Sequence, residues 1–166
     1  YFTPTVVDDL GRRVAAVHSE FDRSAFVRDV LDERWTERSF GERTRHIARV
    51  LWRVLDLDVA AALDVLVRTL PDELDGSDGV LNERFWLWPY GDFIAIYASG
   101  EVDAGLDAWY ELTKRFTAEF AIRPLLACHP EALDRVATWV SDPNEHVRRL
   151  VSEGTRTRLP WVTRLD

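Results

Sequence analysis

Apolar residues recur at three- and four-residue spacing almost throughout this chain, and nowhere do they alternate with period two between turn signals. That pattern excludes a sheet and leaves stacked amphipathic helices as the way to bury a core. Val6, Val7, Leu10, Val14 and Val17 mark a first helix between Thr3 and about His18. Phe26, Val27, Val30 and Leu31 mark a second, from Asp22 to about Glu33. Ser39 with Glu42 has the spacing of a capping box ahead of Ile47, Val50, Leu51 and Val54. Asp58 is the expected N-cap of a helix through Leu63, Leu66, Val67 and Leu70, which Pro71 closes.

Residues 71–79, rich in Asp and Gly, form the clearest loop. The aromatic cluster Phe85, Trp86, Trp88, Tyr90, Phe93 and Tyr97 follows. Such rings can stack on bases, but large aromatics dominate burial in small cores, and packing between helices is the favoured reading. Beyond it, Leu106, Trp109, Tyr110 and Thr113 predict a helix from about Asp103 to Phe116. Thr117 is placed as the cap of the next helix, carrying Ile122, Leu125 and Leu126 and kinked or delayed by Pro124. Leu133, Val136, Ala137 and Val140 mark a helix starting near Pro130.

The last helix is expected to open at Asp142, with Pro143 in the first turn and Glu145 completing a capping box. Val147, Leu150, Val151 and Gly154 give it a buried stripe, while Arg149, Glu153 and Arg156 share another strip. Leu159-Pro160 ends it. The prediction is an all-α chain of about nine helices. Short connections imply antiparallel neighbours, so residues 1–166 are read as one HEAT-like α-solenoid domain that lacks C-terminal repeats. Internal repetition supports this weakly: Ile122-Arg123 and Val147-Arg148 correspond at a separation of 25 residues, shorter than the roughly 40 of HEAT repeats.

Charge narrows the partners. The net charge of −8 argues against a nucleic-acid ligand, but it is unevenly spread. Residues 1–110 hold 12 basic against 21 acidic residues, a balance of −9, and residues 111–166 hold 9 against 8, a balance of +1. Twenty of the 21 basic residues are arginine, a bias that a GC-rich genome explains. No apolar run reaches the roughly 18 residues a membrane helix needs, and the one cysteine, Cys128, precludes an internal disulfide. A cytoplasmic protein with no membrane partner is the expectation. The four histidines lack ligand spacing with Cys, Asp or each other, so neither metal nor cofactor is expected. Cys128, without an activating neighbour, is read as an inert buried thiol.

Three motifs resemble the DNA alkylation repair glycosylases of the AlkC and AlkD type, most closely the AlkC branch. They are Trp88-Pro89-Tyr90-Gly91-Asp92-Phe93, the run Tyr110 to Pro124 containing Thr117-Ala118-Glu119-Phe120-Ala121-Ile122-Arg123, and the run His146 to Trp161 containing Ser152-Glu153-Gly154 and Leu159-Pro160-Trp161. The resemblance covers essentially the whole chain. It implies a curved stack of HEAT-like repeats, acting as a monomer on double-stranded DNA. It also implies hydrolytic excision of cationic N-alkylated bases such as 3-methyladenine and 3-methylcytosine, without a deep base-flipping pocket. The family's acids fall on Glu119 and Glu153, which become the catalytic candidates. Relatives continue past Leu-Pro-Trp through further repeats that supply another active-site acid, and that acid has no counterpart here.

The chemistry suits carboxylates. An alkylated base is already cationic and needs no acid to leave, whereas the sugar gains positive charge in an oxocarbenium-like transition state that a fixed carboxylate stabilises. Glu119 is expected in a first helical turn, and Arg123 four residues on offers the alternative of a surface ion pair. Glu153 between Arg149 and Arg156 has the alternative of a solvated charge ladder. Arg123, Arg148, Arg149, Arg156 and Arg158 are candidate DNA contacts, since guanidinium binds phosphate oxygens bidentately; Arg148 is equally suited to tying repeats together. Trp161 is a candidate to lie against the damaged nucleotide by cation–π contact, as is Trp109, although packing is favoured for both. The other reading of the chain is a catalytically inactive HEAT-like scaffold that binds DNA or protein.

Overall fold

A computed structural model describes residues 1–75, 84–158 and 164–165. Among these residues the regular structure is entirely helical. It comprises α1 (Pro4–Val17), α2 (Arg23–Val30), α3 (Phe40–Leu55), α4 (Val59–Arg68), α5 (Trp88–Tyr97), α6 (Val102–Thr113), α7 (Arg123–Cys128), α8 (Ala132–Thr138) and α9 (Glu145–Gly154), joined by short 3-10 turns. Helices α1, α4 and α6 pack in one row and α2, α3 and α5 in another. The rows touch through α1 with α2 and through α5 with α4 and α6, while α9 packs on α6.

Most helix starts follow from local chemistry. The Thr3 side chain accepts from the Val6 amide with Pro4 behind it, and Asp22 accepts from Ala25. The Ser39 amide donates to Glu42 at 2.8 Å, closing the capping box of α3, and Asp58 accepts from Ala61 at 2.8 Å. The stripes read from the sequence in α1 to α4 supply core residues, with Val7, Leu10, Val14, Phe26, Ile47, Leu51 and Leu63 all buried, but the stripe read for α8 does not: Val136 is buried while Leu133, Ala137 and Val140 are exposed. The aromatic cluster is largely core as well, with Phe93 and Tyr90 buried and Trp52 stacked on Tyr97 at 4.7 Å. Trp109 is fully buried, so it packs in the core and cannot lie against a nucleotide.

Several boundaries differ from the sequence reading. Helix α6 stops at Thr113 because Lys114 and Arg115 turn toward the 71–75 stretch: Arg115 Nε donates to the Pro71 carbonyl at 2.7 Å, and Lys114 pairs with Glu73 at 2.8 Å. The next helix begins at Arg123 rather than near Thr117, because Pro124, with no amide to donate, fits only its first turn. Residues 117–122 are turns, so Glu119 is not in a helix. Helix α9 begins two residues later than expected. Asp142 accepts instead from the Asn144 amide and from the Tyr110 hydroxyl, each at 2.8 Å, and Asn144 caps the helix through the amides of His146 and Val147. Cys128 is exposed, because Leu125 and Leu126 take the buried face of the short α7. Helix α9 also ends earlier than expected, at Gly154 with Thr155 as its C-cap, before the Leu159-Pro160 stop read from the sequence; Leu159, Pro160 and the candidate Trp161 lie outside the described residues.

Candidate functional site

The 117–122 turns bring Glu119 against the last two turns of α9. Its neighbour there is Gly154, which is buried: a Cβ at that position would stand 3.1 Å from Ile122 Cγ2 and 3.6 Å from the Glu119 carbonyl oxygen. A side chain there would force α9 and this segment apart by a few tenths of an ångström, and the close approach brings Glu119 and Glu153 to the same arginine. The two candidate acids share one cation. Arg149 Nε lies 3.2 Å from Glu119 Oε1 and 3.3 Å from Glu153 Oε1.

Burial separates the two carboxylates. The Glu119 side chain is only 4% exposed, whereas those of Glu153 and Arg149 are 31% and 52% exposed. The second oxygen of Glu119 accepts from the Thr117 hydroxyl two residues before it. A buried charge is tolerated only where it is paired and hydrogen-bonded, and Glu119 has both kinds of partner. The pairing raises the Arg149 pKa above its ordinary value, chiefly through the Glu119 charge. Thus the alternative expected for Glu119, a surface ion pair with Arg123, does not describe the site, because both residues are buried.

Arg123 has a different place from the one its sequence context suggested. It is wholly buried, and its guanidinium donates to the carbonyls of Gly154 at 2.9 Å, Arg156 at 2.7 Å and Thr157 at 3.3 Å. It therefore closes the C-terminal end of α9, where carbonyls lack helical partners and a cation is favoured by the helix dipole. A buried guanidinium turned onto main-chain oxygens offers nothing to a phosphate. Arg148 likewise turns back, donating to the carbonyls of Asp142 at 2.7 Å and Pro143 at 2.9 Å, although it stays exposed. Arg156 and Arg158 are exposed beyond α9.

Asp92, present in the sequence reading only as part of a motif, also enters the picture. It lies on α5 in the wall of a cavity of about 200 Å³ that also includes Trp88, Phe116, Thr117 and Phe120. Burial pushes its carboxyl pKa upward, opposed by the Thr44 hydroxyl and the charges of Arg45 and Arg49. Arg45 and Arg49 are both exposed, one turn apart on α3. Their spacing was visible in the sequence, but the acidic balance of the front half hid them. Among the described residues no group of three or more His, Cys, Asp or Glu could hold a metal ion, and no helix is long and apolar enough to cross a membrane.

A helical stack that brings two motif acids together under one arginine resembles the DNA alkylation repair glycosylases of the AlkC type in fold and in sequence. In particular, the chain matches the alkylpurine DNA glycosylase AlkC of Pseudomonas fluorescens, solved bound to DNA containing an abasic site analogue. The match has a TM-score of 0.84 and 30% identity, over 98% of this chain and 43% of that one. The uncharacterised protein YhaZ of Bacillus subtilis is 30% identical over 161 residues, which are 96% of this chain and 43% of YhaZ. The chain thus spans less than half the length of these relatives. No protein-family model matches it.

Proposed function

We propose that this chain serves a DNA glycosylase that hydrolyses the N-glycosidic bond of cationic N-alkylated bases, 3-methyladenine first and 3-methylcytosine second. The likeness to AlkC supports the reaction class. The observation that carries the reading is the bridging of Glu119 and Glu153 by Arg149, at 3.2 and 3.3 Å. Residues far apart in the chain converge there, with one carboxylate buried and one reachable from solvent.

In this mechanism Glu119 is the fixed charge. Held by Thr117 and Arg149, it has little freedom to reorganise, which is the condition under which a carboxylate stabilises a developing oxocarbenium ion most effectively. Glu153, the more exposed of the pair, orients the attacking water and takes its proton. Arg149 keeps the two acids at one place without neutralising them completely, and its exposed edge meets the phosphate beside the lesion. Arg156 and Arg158 extend that phosphate contact, and Arg148 joins them where the turn before α9 approaches the backbone. Arg123 holds the end of α9 in place, and Trp161 is the ring proposed to attract the cationic base.

Incubation of the native protein with methylated double-stranded DNA tests the reading. Release of free 3-methyladenine, with abasic sites appearing in equal amount, is the expected result. Intact glycosidic bonds after prolonged incubation at saturating protein refute it.

A further inference from the structure

Nearly all arginines of the acidic front half are engaged. Seven pair with acids, as Arg23 does with Asp8 at 2.6 Å and Arg53 with Asp29 at 2.7 Å. Arg43 and Arg84 donate to main-chain carbonyls, and Arg13 lies over the Trp86 ring. Arg45 and Arg49 differ: exposed one turn apart on α3, they make no hydrogen bond, ion pair or ring contact among the described residues. The acids whose charges reach them are held elsewhere, Glu42 by Ser39 in the capping box and Asp92 with its Oδ2 buried. The acidic balance of this half therefore does not extend to the outer face of α3.

That face leads toward the two acids. Helix α3 packs directly on α5, and the pull of Arg45 and Arg49 on Asp92 sets their stripe on the α5 side of α3. Helix α5 in turn supplies Gly91 and Ala95 to one wall of a groove whose other wall holds Thr117 and Phe120. Thr117 donates to Glu119. Packed helices lie about 8–10 Å apart, so two such steps put the arginine pair on the order of 20 Å from Glu119. One strand of a duplex covers that distance in about six nucleotides, at roughly 3.4 Å each.

We propose that Arg45 and Arg49 form a second phosphate-binding site, remote from the acids, that holds one DNA strand about six nucleotides from the lesion; the proposal rests on the glycosylase reading above. Guanidinium matches phosphate oxygens bidentately, and two such groups at i and i+4 start about 5–6 Å apart, close enough to grip neighbouring phosphates of one strand. Contacts of this kind carry no sequence information and fix register instead. Register matters here for a chemical reason. An enzyme that does not enclose the base has to place the sugar through its grip on the backbone, and a single contact patch around α9 leaves the duplex free to pivot. A second grip on α3 removes that freedom.

The test measures binding of the native protein to a duplex with a central abasic-site analogue, by fluorescence anisotropy across a salt series. Arg45→Gln combined with Arg49→Gln should weaken binding about tenfold or more near 0.1 M salt. It should also make the log–log salt dependence shallower by about 1.8, because each phosphate contact contributes about 0.9. Arg34→Gln combined with Arg68→Gln removes the same charge from exposed arginines that already pair with acids, and should change affinity by less than about threefold. Trimming one arm of the duplex to about four base pairs should erase the difference between the native protein and the α3 double variant. Circular dichroism checks that both variants fold. An unchanged salt slope in the α3 variant, an equal loss in both double variants, or no duplex binding by the native protein at low salt overturns the proposal. Base release from methylated DNA, run in parallel, keeps the two ideas apart. Release by the native protein with unchanged binding by the α3 variant refutes the second grip alone, and α3-dependent binding without release refutes the glycosylase reading alone.

Discussion

Replacement of Arg123 by methionine separates a positioning role from a DNA-binding one. The guanidinium donates to main-chain carbonyls of Gly154, Arg156 and Thr157 at 2.9, 2.7 and 3.3 Å. Charge-assisted hydrogen bonds contribute about 1.5–3 kcal/mol each, but that figure overstates the net loss. The Arg156 and Thr157 bonds are partly open to water, which would take over part of the pairing, and methionine removes the desolvation penalty of a buried cation. The bond to the Gly154 carbonyl is buried, so that oxygen is left without a partner at about 1–3 kcal/mol. With some loss at the other two carbonyls, Arg123→Met should destabilise by about 2–4 kcal/mol. For a chain of this size each kcal/mol is roughly 2–4 °C in Tm, so thermal unfolding should show a fall of about 4–16 °C. Arg123→Lys keeps the charge but cannot fork between carbonyls, and should fall in between. A phosphate ligand would behave in the opposite way. If Arg123→Met leaves Tm within about 2 °C and instead weakens DNA binding with a shallower salt dependence, the positioning role is refuted.

Gly154→Ala places a methyl group 3.1 Å from Ile122, forcing a shift of a few tenths of an ångström between α9 and the Glu119 turn; single-turnover base release should slow roughly three- to tenfold with DNA affinity nearly unchanged, and an unchanged rate would show that the close approach is dispensable. Asp56, which ends α3 at φ 50°, holds a left-handed conformation that glycine adopts without a Cβ penalty, so Asp56→Gly should stabilise by about 0.5–1 kcal/mol in urea unfolding, against which a lower midpoint would count. Asp92 has a folded-state pKa above its unfolded value, so its charge penalises the fold at neutral pH and protonation relieves that penalty as the pH falls through the raised pKa. Asp92→Asn should accordingly raise Tm at pH 7, with the advantage shrinking steadily toward pH 4; an advantage that grows on acidification would contradict the assignment.

The helical architecture was legible because it rests on local chemistry. Ser39 with Glu42, and Asp58, cap their helices where their spacing predicts, and the aliphatic stripes of α1 to α4 reach the core, whereas the stripe read for α8 buries only Val136. Reading failed where a tertiary partner outcompeted the local one. Asp142 has the spacing of an N-cap, but the Tyr110 hydroxyl, 32 positions away, claims its carboxylate, and Asn144 takes over the cap. Glu119 and Arg123 have the spacing of a surface ion pair, yet both are buried, one under Arg149 and the other under the end of α9. No periodicity reveals either burial. The meeting of Glu119 with Glu153 had only a faint signal, Gly154, whose missing side chain makes room for it, and motif resemblance rather than physical pattern singled out the two acids.

Single-turnover excision of 3-methyladenine by Glu119→Gln tests the central claim most directly. Glutamine keeps the shape of the side chain and an acceptor for Thr117, but it removes the buried charge facing Arg149. Losing a preorganised electrostatic contact to a transition state typically lowers the rate by roughly 10²–10³-fold. The account predicts a loss of that order at saturating protein, with affinity for abasic-site DNA retained. Excision by the glutamine variant within about twofold of the native rate would contradict it.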